Sequence, residues 1–573
     1  MKHIKVFYLI ISISFTLNVS AEILTVTNIN DSGTGSLRGT IELANNGDSI
    51  IFDKSLAGKT IVLQSDIIKK DNYISISISG KNTSVIISGG KINFQNYFSG
   101  KVDNMTFINS GISNCSLISD CIFRNCNCAI YYYYNYSSIH HSVPITNCIF
   151  ENNIGYSYDG GVIYCSSSED FTITNCIFKN NTLGVISDIG NSTITDCTFE
   201  NNSGNVIAVS IPYITNCTFM NNSGSSVNGV EGSITNCIFK NNPSNNRMVI
   251  GDFSITNCTF EDSNGGAISG GGNITNCIFK NNTTAIGNGG AISGADSISN
   301  CTFENNTVNT ATGNGGAVYE VNNITNCTFE NNTANNGGAI YISSKASVTN
   351  CTFSDNNAFN IGGAVCGSGA NLKGNLFVNN KIWYINPFNH VLTAELGDVY
   401  FCKSLGYNVY TSNDYIFSQS TDYKYTGTQS LLISLGDYGG NTPTMPINTS
   451  IPNWETTVRR VPVSSNRTTD QRGLSLPKTG LICAGSVEMQ PGENFTSINE
   501  IKKESVNVYP NPTSDIIHFA LDENSEVQIF DTLGKLVKEQ AGNIGSNEIN
   551  ISDLPKGVYF LNVNRKQTKI IKK

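Results

Sequence analysis

The sequence predicts an all-β chain: a right-handed parallel β-helix with an N-terminal cap, followed by a small C-terminal β-sandwich. Three observations predict it. A phrase of the type Thr-Asn-Cys-Thr-Phe-Glu-Asn-Asn recurs, with its cysteines at 121, 148, 176, 197, 217, 237, 258, 277, 301, 327 and 351, which is 19 to 28 residues apart. A period near twenty with occasional longer steps is one structural turn per repeat, with insertions held in loops. The repeats are built from Ile, Thr, Val, Phe and Tyr separated by Asn and Gly, which suits strands and corners and lacks the leucines of a leucine-rich repeat. Finally, the last seventy or so residues alternate apolar and polar positions between turn residues.

Composition agrees with one long array carrying smaller modules. Of 573 residues only 14% are charged, and the net charge of -9 is spread thinly with no basic stripe, so no nucleic acid is expected as a partner. No cofactor and no metal are expected either, because only Cys126 and Cys128 pair locally and no histidine accompanies the cysteine series.

Taken in order, residues 1–21 read as a signal peptide. Lys2 and Lys5 precede an apolar run too short to span a bilayer, and Val19-Ser20-Ala21 offers small residues for cleavage. Residues 22–95 read as the N-terminal cap and first coils. An open coil end exposes unpaired backbone, so a cap is required, and Thr40–Asn45 is the expected capping helix.

Residues 96–380 are the regular repeats. Ile324 and Cys327 are three apart, so one straight strand cannot send both inward with Phe329. A corner at Asn326 resolves this, since Asn tolerates the left-handed conformation. Ile, Cys and Phe are therefore expected inside, with stacked Asn at the bend. Cysteines stacked about 4.8 Å apart fall within disulfide range, but their parallel Cβ vectors would strain the bond. The favoured reading is a ladder of free buried thiols, with disulfides as the alternative in a secreted chain. The residue after each Phe runs Arg124, Glu151, Lys179, Glu200, Met220, Lys240, Glu261, Lys280, Glu304, Glu330, Ser354, an alternation suited to an exposed column.

A second phrase, GGAI or GGAV, recurs from Gly265, Gly289, Gly315, Gly337 and Gly362, with GGVIY from Gly160; it reads as a tight corner followed by the third wall. Together the two phrases resemble the repeats of polymorphic outer-membrane proteins and other surface β-helix proteins over about Phe150–Val365. The resemblance implies a surface-displayed coil.

Residues 381–495 read as irregular last coils and a C-terminal cap. LGDYGGNTPTMPI, DQRG and CAGSVE resemble the end segment of choice-of-anchor Q proteins, with IPNWETT departing from that pattern. After a linker at 496–504, residues 505–573 form the expected sandwich. Tyr509-Pro510-Asn511-Pro512, the hairpin around Gly534, and Leu554-Pro555-Lys556-Gly557-Val558-Tyr559 resemble a type IX secretion C-terminal sorting domain. That resemblance implies a Bacteroidetes-type bacterium, the type IX machinery as partner, and a secreted protein or one attached at the outer-membrane surface. It also implies transfer to a surface glycolipid as one fate after the domain is removed.

No catalytic residues are assigned. The interleaved charges of the outer column lack the converging carboxylates or calcium ligands beside a base that glycoside cleavage needs. The insertion AIYYYYNYSSIHHSVP, residues 129–144, is the candidate ligand-binding surface, through Tyr131, Tyr132, Tyr133, Tyr134, Tyr136, His140 and His141. Exposed tyrosines present a flat apolar face with a polar tip; the alternative is an ordinary strand and turn. The favoured function is an adhesin-like or glycan-binding surface protein, meeting an extracellular glycan or a neighbouring or host cell. Against it stand a carbohydrate-active enzyme, a polysaccharide lyase or glycosidase with a cleft on the coil wall, and a purely structural spacer.

Overall fold

The computed structural model describes residues 21–69, 75–94, 100–132, 142–156, 160–165, 170–187, 190–243, 246–385, 392–463, 467–496, 508, 515–521, 524–531, 536–563 and 566–572. The proposed signal peptide lies outside them but for Ala21. The chain divides into two units, 1–494 and 495–573.

The larger unit is a coil of parallel strands, and one turn shows why the repeat folds as it does. Val318–Thr325 runs into a corner at Asn326, whose φ of 54° lies in the left-handed region. Thr328–Glu330 follows, a second left-handed corner stands at Asn331, and Thr333–Asn336 closes the turn. Ile324, Cys327 and Phe329 are all fully buried, as the parity of the phrase requires. Each strand pairs with its counterpart one turn on, Phe303 with Phe329 and Phe329 with Phe353. The phenylalanines stack without a break from Phe107 to Phe377, ring centroids 4.6–5.1 Å apart.

The glycine phrase supplies the third corner. Gly315 has φ 66°, and a Cβ there would stand 2.1 Å from the Val318 carbonyl oxygen; on Gly316 it would stand 2.0 Å from the Gly338 carbonyl oxygen in the next turn. The following strand does not form a wall of its own. It lies in the same sheet as the strand leading to the next cysteine, and in Val249–Thr256, Ile292–Ser299 and Val318–Thr325 it continues into that strand. The sheet after the second Asn corner is short and holds strands between Thr283 and Leu396.

Among the described residues no cysteine is in a disulfide, and all but the part-exposed Cys402 are buried. They do more than fill space. The Sγ of Cys258 accepts the N–H of Cys237 one turn back at 3.4 Å and lies 3.3 Å from the Thr256 carbonyl, and the same relation recurs along the column. Burial pushes the Cys277, Cys301 and Cys327 thiols well above their ordinary range, keeping them neutral. Where the cysteine series ends, Asn375 takes its place and accepts the N–H of Cys351 at 2.9 Å.

A second interior ladder is made by the last Asn of the phrase: Asn153, Asn181, Asn202, Asn222 and Asn242, then, past Ser263, Asn282, Asn306, Asn332, Asn356 and Asn380. Each of these amides donates to a phenylalanine carbonyl of the preceding turn, as Asn306 Nδ2 does to Phe279 at 3.0 Å, while its Oδ1 accepts the backbone N–H of the preceding member. The ladder ends on Asp398, whose Oδ1 accepts from Asn380 at 2.9 Å. Burial raises the Asp398 carboxyl to about 7, with Asp414 adding to the shift.

The N-terminal helix spans Leu37–Leu43 rather than starting at Thr40, because Ser36 is its N-cap and accepts from the Gly39 N–H at 3.1 Å. Leu37 and Ile41 join the coil's own apolar core. At the other end the coil continues through Val399–Tyr400, Lys403–Ser404 and Val409–Tyr410. Residues 441–463 and 467–489 do not extend it. They run back along the outside of earlier turns, where Gln471 donates to Thr302 at 2.9 Å and Ser486 meets Thr328 and Thr352 at 2.9 and 3.1 Å.

Among its described residues the smaller unit has six antiparallel strands in two sheets that share one apolar core, including Ile517, Phe519, Val527, Ile529, Leu561 and Ile570. Gly557 begins the strand Gly557–Val563 and is exposed, whereas Pro510, Asn511, Pro512 and Gly534 lie outside the described residues.

Candidate functional site

Of the tyrosine-rich insertion, Tyr131 and Tyr132 fall within the described residues; Tyr133, Tyr134, Tyr136, His140 and His141 lie outside them. The two tyrosines end the strand Ile130–Tyr132 and point to opposite faces. Tyr132 is not a surface residue. It is fully buried, donates its hydroxyl to the Cys115 carbonyl at 2.6 Å and sets its ring edge-on to Phe171 at 5.1 Å. Burial raises its phenol well above the ordinary range, and its ring is unavailable to a ligand.

Tyr131 faces outward. Pairing in register sets it beside Tyr164 of the next turn, with ring centroids 5.4 Å apart. Tyr156 completes a cluster, 5.1 Å from Tyr131 and 5.2 Å from Tyr164, and is 44% exposed. Sequence reasoning missed Tyr156 and Tyr164. The signal for Tyr164 was present, since it follows Ile163 in GGVIY as Tyr131 follows Ile130.

Farther along the same sheet, a cleft of about 290 Å³ opens over the glycine-rich bend of Gly270, Gly271 and Gly294, with Asp252, Asp296 and Glu320 on its walls. Asp252 accepts the Gly271 N–H at 3.3 Å, and both Glu320 oxygens accept the Ser343 N–H at 2.9 and 3.1 Å. Among the described residues, no three His, Cys, Asp or Glu side chains are grouped to hold a metal ion. The outer charge column pairs as its signs require, Arg124 with Glu151, Lys179 with Glu200, Lys240 with Glu261 and Lys280 with Glu304, at 2.8–3.3 Å. Those carboxylates are held apart from one another by intervening cations, an arrangement that sets register.

Comparison with known proteins matches residues 507–573 to a secretion system C-terminal sorting domain and residues 112–253 to a right handed beta helix region. Residues 300–319 and 326–343 match the repeat of the Chlamydia polymorphic membrane protein. An ulvan lyase of Nonlabens ulvanivorans is 40% identical over 77 residues, which is 13% of this chain and 14% of that protein's length. Among solved structures, a PL6 family alginate lyase, AlyGC, aligns over 80% of this chain and 59% of its own at 13% identity, with a TM-score of 0.27. A mannuronic acid specific family 6 lyase from human gut microbiota aligns over 70% of this chain and 89% of its own at 10% identity, with a TM-score of 0.22. No helix among the described residues is long and apolar enough to cross a membrane. The repeat lattice and the matched C-terminal domain together identify an exported right-handed parallel β-helix protein that carries a secretion sorting domain and is secreted or attached at the cell surface.

Proposed function

We propose that the protein is an adhesin-like, glycan-binding surface protein whose contact surface includes Tyr131, Tyr156 and Tyr164. The observation that carries this reading is the packing of three tyrosine rings within 5.1–5.4 Å on the outer wall. Such a surface offers flat apolar faces to sugar rings with hydroxyl tips for their polar edges. Rigid strands hold two of the rings, so little side-chain entropy is lost on binding. The type IX route and the glycan or cell-surface partner belong to the same reading.

A glycan array probed with the full chain tests it. Tyr156→Ala and Tyr164→Ala are expected to weaken each positive signal about tenfold while leaving thermal unfolding unchanged, as removal of a stacking contact does. Undiminished signal from the double variant would remove the tyrosine surface from the function.

A second reading, a polysaccharide lyase, draws on the stretch shared with the ulvan lyase. Incubation with ulvan and with alginate, followed by ultraviolet absorbance, would detect the unsaturated ends that elimination creates. A rise above that of the buffer blank is the outcome this second reading requires.

A further inference from the structure

The short strand after each cysteine corner presents two outward columns, and the charged one carries an order that pairing within the chain does not require. Its members meet in register from one turn to the next. Before Met220 it runs Glu151, Lys179, Glu200, and after Met220 it runs Lys240, Glu261, Lys280. Strict alternation would need a cation at 220 and an anion at 240. Instead the phase slips at Met220, so each charge before it has its opposite the same number of turns after it. The ion pairs inside the column do not explain the slip, since Lys179 with Glu200 and Lys240 with Glu261 close on either side of it at 3.3 and 2.8 Å.

The slip matters when the column is turned end over end. A strictly alternating column of seven would then meet like charge with like, whereas this one meets opposite with opposite. About a two-fold axis lying in the wall at Met220, Glu151 faces Lys280 of the second copy, Lys179 faces Glu261, and Glu200 faces Lys240. Two uncharged Met220 side chains meet on the axis, where any charge would face itself. Arg124 and Glu304 continue the rule at the rim. A shift of one turn in either direction sets like against like wherever two charges meet, so the register is specified as well as the surface.

The other outward column of the same strands is a packing surface elsewhere in the sheet. Under the returning segment Thr302, Thr328 and Thr352 are at most 1% exposed, while in the open turns Ile177 and Ile238 stand 43% and 47% exposed. We propose that this open wall binds a second copy of the chain, the two coils antiparallel and face to face about a two-fold axis at Met220. Ile177 then faces Thr259 and Ile238 faces Thr198 of the other copy, which takes the exposed isoleucines out of water. Seven turns of a strand about 16 Å wide give about 900 Å² over the two copies, a small interface and therefore a reversible one, with a Kd of about 10–100 μM. The tyrosine surface lies on the other large sheet and takes no part in it.

Sedimentation velocity of the full chain across that concentration range tests the proposal. A dimer is expected at about 50 mM salt and should weaken about tenfold or more at about 500 mM, because exposed charge pairs are screened. Lys179→Glu with Lys240→Glu should abolish self-association, as should Glu200→Lys with Glu261→Lys in a separate chain; all four side chains reach solvent, so circular dichroism should be unchanged. Mixing the two double variants should restore a dimer, since every reversed charge then meets its opposite. Met220→Lys, which sets two cations on the axis, should weaken the dimer as well and keeps the test open if a double variant fails to fold. A monomer at every concentration and salt, or a dimer that the variants leave unchanged, would overturn the interface. Double variants that stay monomeric when mixed would overturn the antiparallel register. Tyr156→Ala with Tyr164→Ala should leave the dimer intact, so the glycan reading and this one are scored apart.

Discussion

The residue between Cys and Phe in the repeat occupies the same outward position in every turn, yet it meets two different environments. In the middle of the coil it faces water: Ile177 is 43% and Ile238 47% exposed. In the later turns Thr302, Thr328, Thr352 and Leu376 are at most 1% exposed, covered by the returning segment through Gln471, Ser486 and Gly485. The neighbouring column changes with it. Alternating Lys and Glu run to Glu304, and the covered end carries Ser354 and Val378, both 2% exposed. One backbone lattice thus serves as an open wall and as an internal interface. The phenylalanine column runs unchanged through both regions, the cysteine column gives way to Asn375 only in the last covered turn, and the outward residues differ throughout.

The largest effect is expected where both regions share a requirement. Asn306→Leu removes the acceptor of the Asn282 N–H and the donor to the Phe279 carbonyl, at 3.1 and 3.0 Å, inside a fully buried column. Two orphaned buried groups at about 1–3 kcal/mol each predict a loss of about 2–6 kcal/mol in urea unfolding. Ile238→Thr, on the open wall, should stay within about 0.5 kcal/mol. Equal losses for the two would mean that the ladder contributes nothing beyond packing.

Asp398, where the asparagine ladder ends, sharpens the same point through pH. Its carboxyl is at about 7 in the fold against an ordinary value of 3.8. An acid whose folded pKa is raised favours the folded state only while protonated, so stability is greatest below about pH 4 and falls as pH rises through 7. The shift of about three units corresponds to up to about 4 kcal/mol. Asp398→Asn, which extends the ladder with another amide, should recover much of this at pH 8 and change little at pH 4, as read from denaturant midpoints at the two pH values.

Next comes the contrast between covered and open positions at constant chemistry. Thr328 donates to Gln471 Oε1 at 2.6 Å and lies 2.9 Å from Ser486 Oγ. Thr328→Val strands Gln471 Oε1 in a buried seam, while Ser486 Oγ keeps Thr352 at 3.1 Å, and should cost about 1–3 kcal/mol. Thr218→Val, at the same position on the open wall, should be neutral or slightly stabilising, since Val is the better strand former. Limited proteolysis of the returning segment should accelerate in the first variant alone.

How far these regions could be read from the sequence follows from their physics. Interior columns repeat because each member must match its neighbour 4.8 Å away, so Ile324, Cys327 and Phe329 were legible from parity. The charge column was legible for the same reason. The buried asparagine ladder was hidden by its neighbour: in Asn331-Asn332 one Asn makes the corner and the other fills the core, and composition does not separate them. Tyr132 was misplaced because the insertion was taken as a surface of exposed tyrosines ahead of its alternative, a strand and turn, although its alignment with Cys165 of GGVIYC puts it inside. The capping helix starts at Leu37 because Ser36 acts before the apolar pattern begins. The covering segment was not legible at all. Gln471 reaches residues 143 and 169 positions away, and nothing periodic in 441–489 announces which turns it will meet.

The smallest effect tests whether the open wall's charges matter. Lys240 and Glu261 meet at 2.8 Å, but their side chains are 42% and 24% exposed, so solvent screens the pair. Met220, the neighbour of Lys240 in the column, shows that an uncharged chain of similar length fits there. Lys240→Met should therefore cost less than about 1 kcal/mol at low ionic strength. Raising the salt should shrink even that difference, because screening removes what the substitution removes. Both regions keep their turns in step through buried columns that salt does not reach. A large, salt-sensitive loss from Lys240→Met would instead place the register of the open wall in its surface charges.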